Sequence, residues 1–168
     1  MSYAKHFKLT DDLIQHLDAV LIQLNNPFIE SRYTGFLAVS AVTVLELALK
    51  TIFLEFSAAK HIVLGNFCSH YFERINGRIT LTHIDSEYLR KFGKKYQQRF
   101  KQRLDKLEKD HLRTIGGSLK SSYGNLISWR NGFAHEGNVP ANATYAEVKR
   151  TYECGKQVMR CLASCMSR

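Results

Sequence analysis

Apolar positions recur along the chain at the three- to four-residue spacing of amphipathic helices, and this pattern predicts five to six helices and no strand. Thr10, followed by Asp11 and Asp12, predicts the start of the first helix, because a hydroxyl caps free N–H groups and acids suit the positive helix end. The apolar face that follows comprises Leu13, Ile14, Leu17, Val20, Leu21 and Leu24. We expect Asn25, Asn26 and Pro27 to end this helix.

The most apolar stretch, residues 33–56, predicts the central helix of a bundle, since it is apolar on nearly every side. Its β-branched residues would also suit strands, but Leu45, Leu49, Ile52 and Phe56 keep the helical period. The uncharged run from Tyr33 to Leu45 falls short of the roughly 20 residues that cross a bilayer, so we expect no membrane helix.

The remaining pattern predicts four more helical segments separated by turns. A short helix covers residues 59–75, and "NGR" turns the chain. A long helix then runs from about Asp85 to Arg113, with an apolar stripe formed by Phe92, Tyr96, Phe100, Leu104 and Leu107. "IGGS" ends it, and another helix runs from about Ser118 through His135. After a loop turned by Pro140, Thr144 and Glu147 form the capping box of the last helix.

Length and composition predict one folded domain over residues 1–168, because a chain of this size with 45% hydrophobic residues can bury a core. The net charge is +9, and the pI is about 9.5. Such a charge suits a polyanionic partner, either nucleic acid or a membrane surface, but it is equally consistent with an ordinary basic protein.

The four cysteines predict free, buried thiols and no metal site. No secretory signal is visible in "MSYAKHFKLTDD", so we expect a reducing cytoplasm. Cys154, Cys161 and Cys165 share one helical face, but no histidine or further cysteine supplies the usual zinc spacing. Cys68 stands apart from them. We therefore expect neither a metal nor another cofactor.

Charged residues raise two questions of function. Glu46 and Lys50 interrupt the apolar stretch one turn apart, and a local ion pair is favoured over a carboxylate that supports a site. The polar faces of the long helix carry many cations, which we interpret as a phosphate-attracting surface rather than an ordinary solvated face. The candidate RNA contacts there are Lys91, Lys94, Lys95 and Arg99.

The segment "WRNGFAHEG" combines an apolar anchor with a polar cluster. Trp129 and Phe133 are four residues apart and share a side, as do Asn131 and His135. Arg130 lies five residues before His135, about 140° away around an ideal helix. Three ways remain to join them: a curled arginine side chain, a deformed helix, or a site shared by two copies of the chain.

The polar cluster has the chemistry to cleave RNA. A histidine moves protons near neutral pH, and an arginine binds phosphate through two parallel hydrogen bonds. An asparagine can orient either group, and the ribose 2′-OH is itself the nucleophile, so no metal is required. Spacing alone, however, favours a plainer interpretation, with His135 at a helix C-terminus and Arg130 on the surface.

A resemblance to a known family changes that balance. "RNGFAH" resembles the R-x(4–6)-H signature of the HEPN superfamily, in which a polar residue, often asparagine, follows the arginine. "ELALK", residues 46–50, resembles the glutamate–lysine helix of many HEPN domains. Within the superfamily, the chain resembles groups encoded beside defence genes, which include the RiboL-PSP-type HEPN proteins.

This resemblance implies an all-α, up-and-down bundle that forms a homodimer with a composite cleft. It implies metal-independent endoribonuclease activity as a toxin or phage-defence effector, leaving a 2′,3′-cyclic phosphate. The catalytic residues would be Arg130, Asn131 and His135, with Glu46 in support. RNA would be the substrate, and an antitoxin or sensor protein could be a further partner. The alternative is a non-catalytic helical module that binds nucleic acid or protein.

Overall fold

The computed structural model describes residues 2–24, 26–137 and 142–167. Within them the chain is all-α, and no strand occurs. The elements are a 3-10 helix (Ser2–His6), α1 (Phe7–Leu24), α2 (Pro27–Lys60), α3 (Ile62–Glu73), a π-helix (His83–Leu89), α4 (Arg90–Phe92), α5 (Lys94–Ile115), α6 (Leu119–Glu136) and α7 (Tyr145–Met166).

Helix α2 is the centre of the bundle, as its composition predicts. It packs against α1, α3, α6 and α7, and Leu37, Leu45 and Leu49 are completely buried. Among the described residues, α2 is the one helix long and apolar enough to cross a membrane. More than half of its most apolar window, 56%, is buried inside the protein, as in the core helix of a bundle.

The predicted boundary between the first two helices is wrong. Thr10 does not cap α1, which begins at Phe7; Thr10 is buried, and its hydroxyl lies 2.8 Å from that of Ser40 in α2. Asn26 and Pro27 begin α2 instead of ending α1, because the Asn26 side chain accepts a hydrogen bond from the Phe28 amide, at 3.0 Å. The predicted contribution of Asn25 lies outside the described residues.

The single long helix predicted over residues 85–113 is also wrong. Gly93 has a φ of 115°, which only glycine adopts easily, and it separates α4 from α5. The predicted apolar stripe nevertheless faces the core, with Phe100 and Leu104 buried and Phe92, Tyr96 and Leu107 partly buried. This division raises the number of α-helices in the described chain to seven, above the predicted five to six.

Several predicted turns and caps are confirmed. The backbone of Gly116 is left-handed and ends α5 at the predicted break, and α6 begins after Ser118, close to its predicted start. The Ser118 hydroxyl caps α6. The Thr144 hydroxyl accepts a hydrogen bond from the Glu147 amide, at 3.2 Å, and begins α7. The other half of the predicted capping box does not form in the described chain, because the Glu147 carboxylate pairs with Arg150, at 2.7 Å. The four cysteines are free and buried, as predicted. The predicted turn at Pro140 lies outside the described residues.

Close packing of α7 on α2 depends on a glycine. A Cβ atom on Gly155 would lie 2.5 Å from Cδ1 of Leu45, far inside ordinary contact. In contrast, a Cβ atom on Gly124, within α6, would meet nothing within 4 Å.

We therefore expect opposite effects from alanine at these two helical glycines. Gly155→Ala lowers the free energy of unfolding by about 1–3 kcal/mol, because the added methyl group overpacks the core. Gly124→Ala raises it by up to about 1 kcal/mol, because alanine favours the helix and its methyl group meets no other atom of the same chain within 4 Å. Urea denaturation of both variants measures these changes. Equal stability of the two variants would contradict this account of the packing.

Candidate functional site

The C-terminal half of α6 is fixed to α2 by the predicted apolar anchor. Trp129 is 5% exposed, and Phe133 is partly buried. The Phe133 ring lies on Gly35, where an added Cβ atom would come within 2.0 Å of the ring. The absence of a side chain at Gly35 thus lets α6 pack directly on the backbone of α2.

Arg130 extends from α6 across the turn at Gly77. A Cβ atom on Gly77 would lie 3.1 Å from Nη1 of Arg130, and Gly77 has a left-handed φ of 73°. The same Nη1 donates a hydrogen bond to Oδ1 of Asn131, at 2.8 Å. Nε of Arg130 is buried and has no hydrogen-bond partner among the described residues. The guanidinium is therefore held by its neighbours and keeps donor capacity.

Glu46 connects this turn to the central helix. Its Oε2 accepts a hydrogen bond from the Gly77 amide, at 2.6 Å, and its Oε1 lies 2.8 Å from Nζ of Lys50. The predicted ion pair is confirmed, with both side chains less than one-fifth exposed. The carboxylate therefore fixes the backbone on which the Arg130 guanidinium lies.

Two buried tyrosines hold the other end of the same turn. The Tyr123 hydroxyl donates to the Ile79 carbonyl, and the Tyr88 hydroxyl donates to the Arg78 carbonyl, each at 2.6 Å. Burial raises the pKa of Tyr88 to about 12 and also raises that of Tyr123. Both hydroxyls therefore stay protonated and donate throughout the neutral range. We call residues 75–79 the site turn.

Asn131 and His135 are both exposed, in agreement with their shared spacing. His135 lies in the last turn of α6 and makes no hydrogen bond to any described residue. The helix ends at Gly137, whose carbonyl accepts a hydrogen bond from Nη1 of Arg32, at 2.6 Å. The chain thus brings Arg130 and Asn131 together and leaves His135 open to solvent.

The predicted RNA-binding cations occupy different environments. Nζ of Lys91 lies 4.0 Å from the centre of the Tyr71 ring, whereas Lys94 and Lys95 are exposed. Nη1 of Arg99 donates to the Cys165 carbonyl, at 3.1 Å, where a cation suits the C-terminal end of α7. Arg99 therefore stabilises the fold, and its contact with RNA stays a prediction.

The sequence does not reveal the residues that support Arg130. "NGR" predicts a turn, but its contact with α6 joins residues far apart in the chain. Tyr88 and Tyr123 belong to no sequence motif. The one signal they offer is that a tyrosine on a buried helical face needs a hydrogen-bond partner for its hydroxyl. In the part of the chain that the structure describes, no group of three or more His, Cys, Asp or Glu side chains could hold a metal ion.

Comparison with known protein families gives a match over nearly the whole chain. A family model described as RiboL-PSP-HEPN matches residues 5–168, nearly the entire chain. No curated protein and no solved structure matches.

We expect the contact between Glu46 and the site turn to stabilise the protein. Glu46→Ala leaves the Gly77 amide without its acceptor and lowers the free energy of unfolding by about 1–3 kcal/mol. Glu46→Gln retains an acceptor oxygen and should recover most of this loss, although its charge is gone. Urea denaturation of both variants tests this. Equal destabilisation would mean that the ion pair with Lys50, rather than the turn, accounts for the effect.

Proposed function

Because the chain belongs to the RiboL-PSP-HEPN family, we propose that it is a metal-independent endoribonuclease that acts as a toxin or phage-defence effector. One observation supports this most strongly. Arg130 and Asn131 form a hydrogen-bonded pair at the end of α6, and His135 is exposed one turn further on. These are the polar residues of the family motif, on a rigid element beside accessible surface.

In the proposed reaction, the ribose 2′-oxygen attacks the adjacent phosphorus while the bond from phosphorus to the 5′-oxygen breaks. His135 takes the proton from the 2′-OH or supplies one to the leaving 5′-oxygen. The Arg130 guanidinium donates to the phosphate oxygens, where negative charge builds up in the transition state. Asn131 orients Arg130, consistent with their 2.8 Å hydrogen bond. The products are a 2′,3′-cyclic phosphate and a 5′-hydroxyl.

A homodimer would complete the site. Within one chain, Arg130 is held against the site turn, and His135 makes no hydrogen bond to it. The exposed face of α6 leading to His135 carries only small or short polar residues, Ser121, Gly124, Asn125 and Ser128. Such a face allows a second α6 to approach closely, so that the Arg130 of one protomer and the His135 of its partner meet at one phosphate.

A non-catalytic RNA- or protein-binding module is the second candidate. The separate environments of Arg130 and His135 within one chain favour it, as does the net charge of +9. Expression in a bacterium separates the two functions. A nuclease arrests growth, and His135→Ala relieves the arrest, whereas a binding module gives no difference between the variant and the wild type.

We expect the purified protein to cleave RNA in the presence of EDTA. His135→Ala and Arg130→Ala should each lower the rate by about 100-fold or more. The first removes the group that transfers a proton, and the second removes the cation that stabilises the charge of the transition state. Mapping of the new ends should find 2′,3′-cyclic phosphate and 5′-hydroxyl. Cleavage by His135→Ala at the wild-type rate would show that the site is elsewhere, and loss of cleavage in EDTA would indicate a metal-dependent reaction.

The site turn offers a second test with a matched control. Gly77→Ala and Gly116→Ala both place alanine at a left-handed φ, of 73° and 78°, and each should cost about 1–2 kcal/mol of stability. Only the Gly77 methyl group would press on the Arg130 guanidinium. Gly77→Ala should therefore lower cleavage activity at a temperature where both variants are folded, while Gly116→Ala keeps it. Equal activity of the two variants would show that the site turn does not influence catalysis.

A further inference from the structure

A cleft lined by aromatic and cationic side chains lies between α3 and the π-helix. It encloses about 570 Å³, within the range of small-molecule sites. The lining residues that matter here are Phe67, His70, Tyr71, Arg74, Arg78 and Tyr88. The π-helix that supplies Tyr88 is itself a rare conformation, and such segments often occur at functional sites.

Phe67 presents an open aromatic surface at this cleft. Phe67 is 66% exposed, and no aromatic ring or cation packs on it among the described residues. Tyr71, one turn later, is instead covered by Lys91, whose Nζ lies 4.0 Å from the ring centre. An exposed ring beside a polar cleft is the arrangement on which unpaired bases stack.

The cations of the cleft differ in their freedom to bind an anion. Arg78 is paired with both carboxylate oxygens of Glu87, at 2.9 and 2.7 Å. Nδ1 of His70 lies 3.8 Å from an oxygen of Glu73, a long contact on an exposed surface. The Arg74 guanidinium forms no hydrogen bond or ion pair with any described residue. Arg74 is therefore the cation available for a phosphate.

The cleft and the Arg130 region share one piece of backbone. Arg74 directly precedes the site turn, Arg78 belongs to it, and Gly77 between them contacts Arg130. An RNA strand bound in the cleft would thus continue along this turn toward Arg130. Paired bases in an RNA helix are stacked and cannot reach such a ring, whereas bases in loops and single strands can.

We propose that this cleft binds one unpaired nucleotide next to the cleaved phosphate, with its base stacked on Phe67 and its phosphate on Arg74. The proposal rests on the proposed function and specifies its substrate class as single-stranded RNA. It also assigns a role in substrate selection to α3 and the π-helix, outside the Arg130–His135 motif.

The test measures binding without cleavage. A fluorescent single-stranded RNA with 2′-O-methyl groups throughout has no 2′-OH nucleophile, and its anisotropy reports affinity. Phe67→Ala should weaken binding about tenfold, because the stacked base loses its platform. The control Ile62→Ala removes an apolar side chain that is 69% exposed on the same helix, outside the cleft, and should leave affinity unchanged. Arg74→Gln should weaken binding, and Arg113→Gln, at the far end of α5, should not.

Two further measurements separate this inference from the nuclease proposal. 2-Aminopurine placed in the RNA should lose fluorescence on binding to the wild type but not to Phe67→Ala, because stacking quenches it. A duplex of the same sequence should bind more weakly and be insensitive to Phe67→Ala. Equal affinity of Phe67→Ala and Ile62→Ala, or equal binding of duplex and single strand, would overturn the inference, even if unmodified RNA is cleaved. Failure to cleave unmodified RNA, with Phe67-dependent binding intact, would overturn the nuclease proposal alone.

Discussion

The hydrogen bond from the Gly77 amide to the Glu46 carboxylate connects the core of this protein to its candidate site. Glu46 belongs to the central helix, and its side chain is only 15% exposed. This bond fixes the position of the site turn. The hydroxyls of Tyr88 and Tyr123 donate hydrogen bonds to the next two carbonyls of the turn, those of Arg78 and Ile79. Arg130 lies on that turn, and its position is therefore set by three side chains from three elements.

Two glycines, one in the central helix and one in α7, set the distances between the central helix and its neighbours. Gly35 lets α6 pack directly on α2 through the Phe133 ring, and Gly155 lets α7 do so against Leu45. Protein interiors are packed as densely as organic crystals, so these contacts leave little freedom for rotation of α6. The orientation of α6 in turn decides that Arg130 faces inward while Asn131 and His135 face solvent.

The sequence predicts most of this arrangement where the signals are local. Short-range patterns predict the start of α6 near Ser118, the cap at Thr144, the turn at Gly77 and the apolar face of α6, and the structure confirms them. Thr10 misleads because a buried hydroxyl contact with Ser40 replaces the expected cap. Gly93 breaks a helix whose apolar spacing continues through it. The contacts of Arg130 and Glu46 with the site turn join residues distant in the chain, and no periodicity encodes them.

The central claim is that Arg130 of one protomer acts with His135 of its partner. Purified heterodimers carrying two different tags test it most directly. A heterodimer of Arg130→Ala with His135→Ala should cleave RNA although both parent homodimers are inactive, because one complete pair forms between the chains. A heterodimer of wild type with the Arg130→Ala/His135→Ala double variant should be inactive, because its only complete pair lies within one chain. The reverse pattern would contradict the shared site and place the reaction within a single chain.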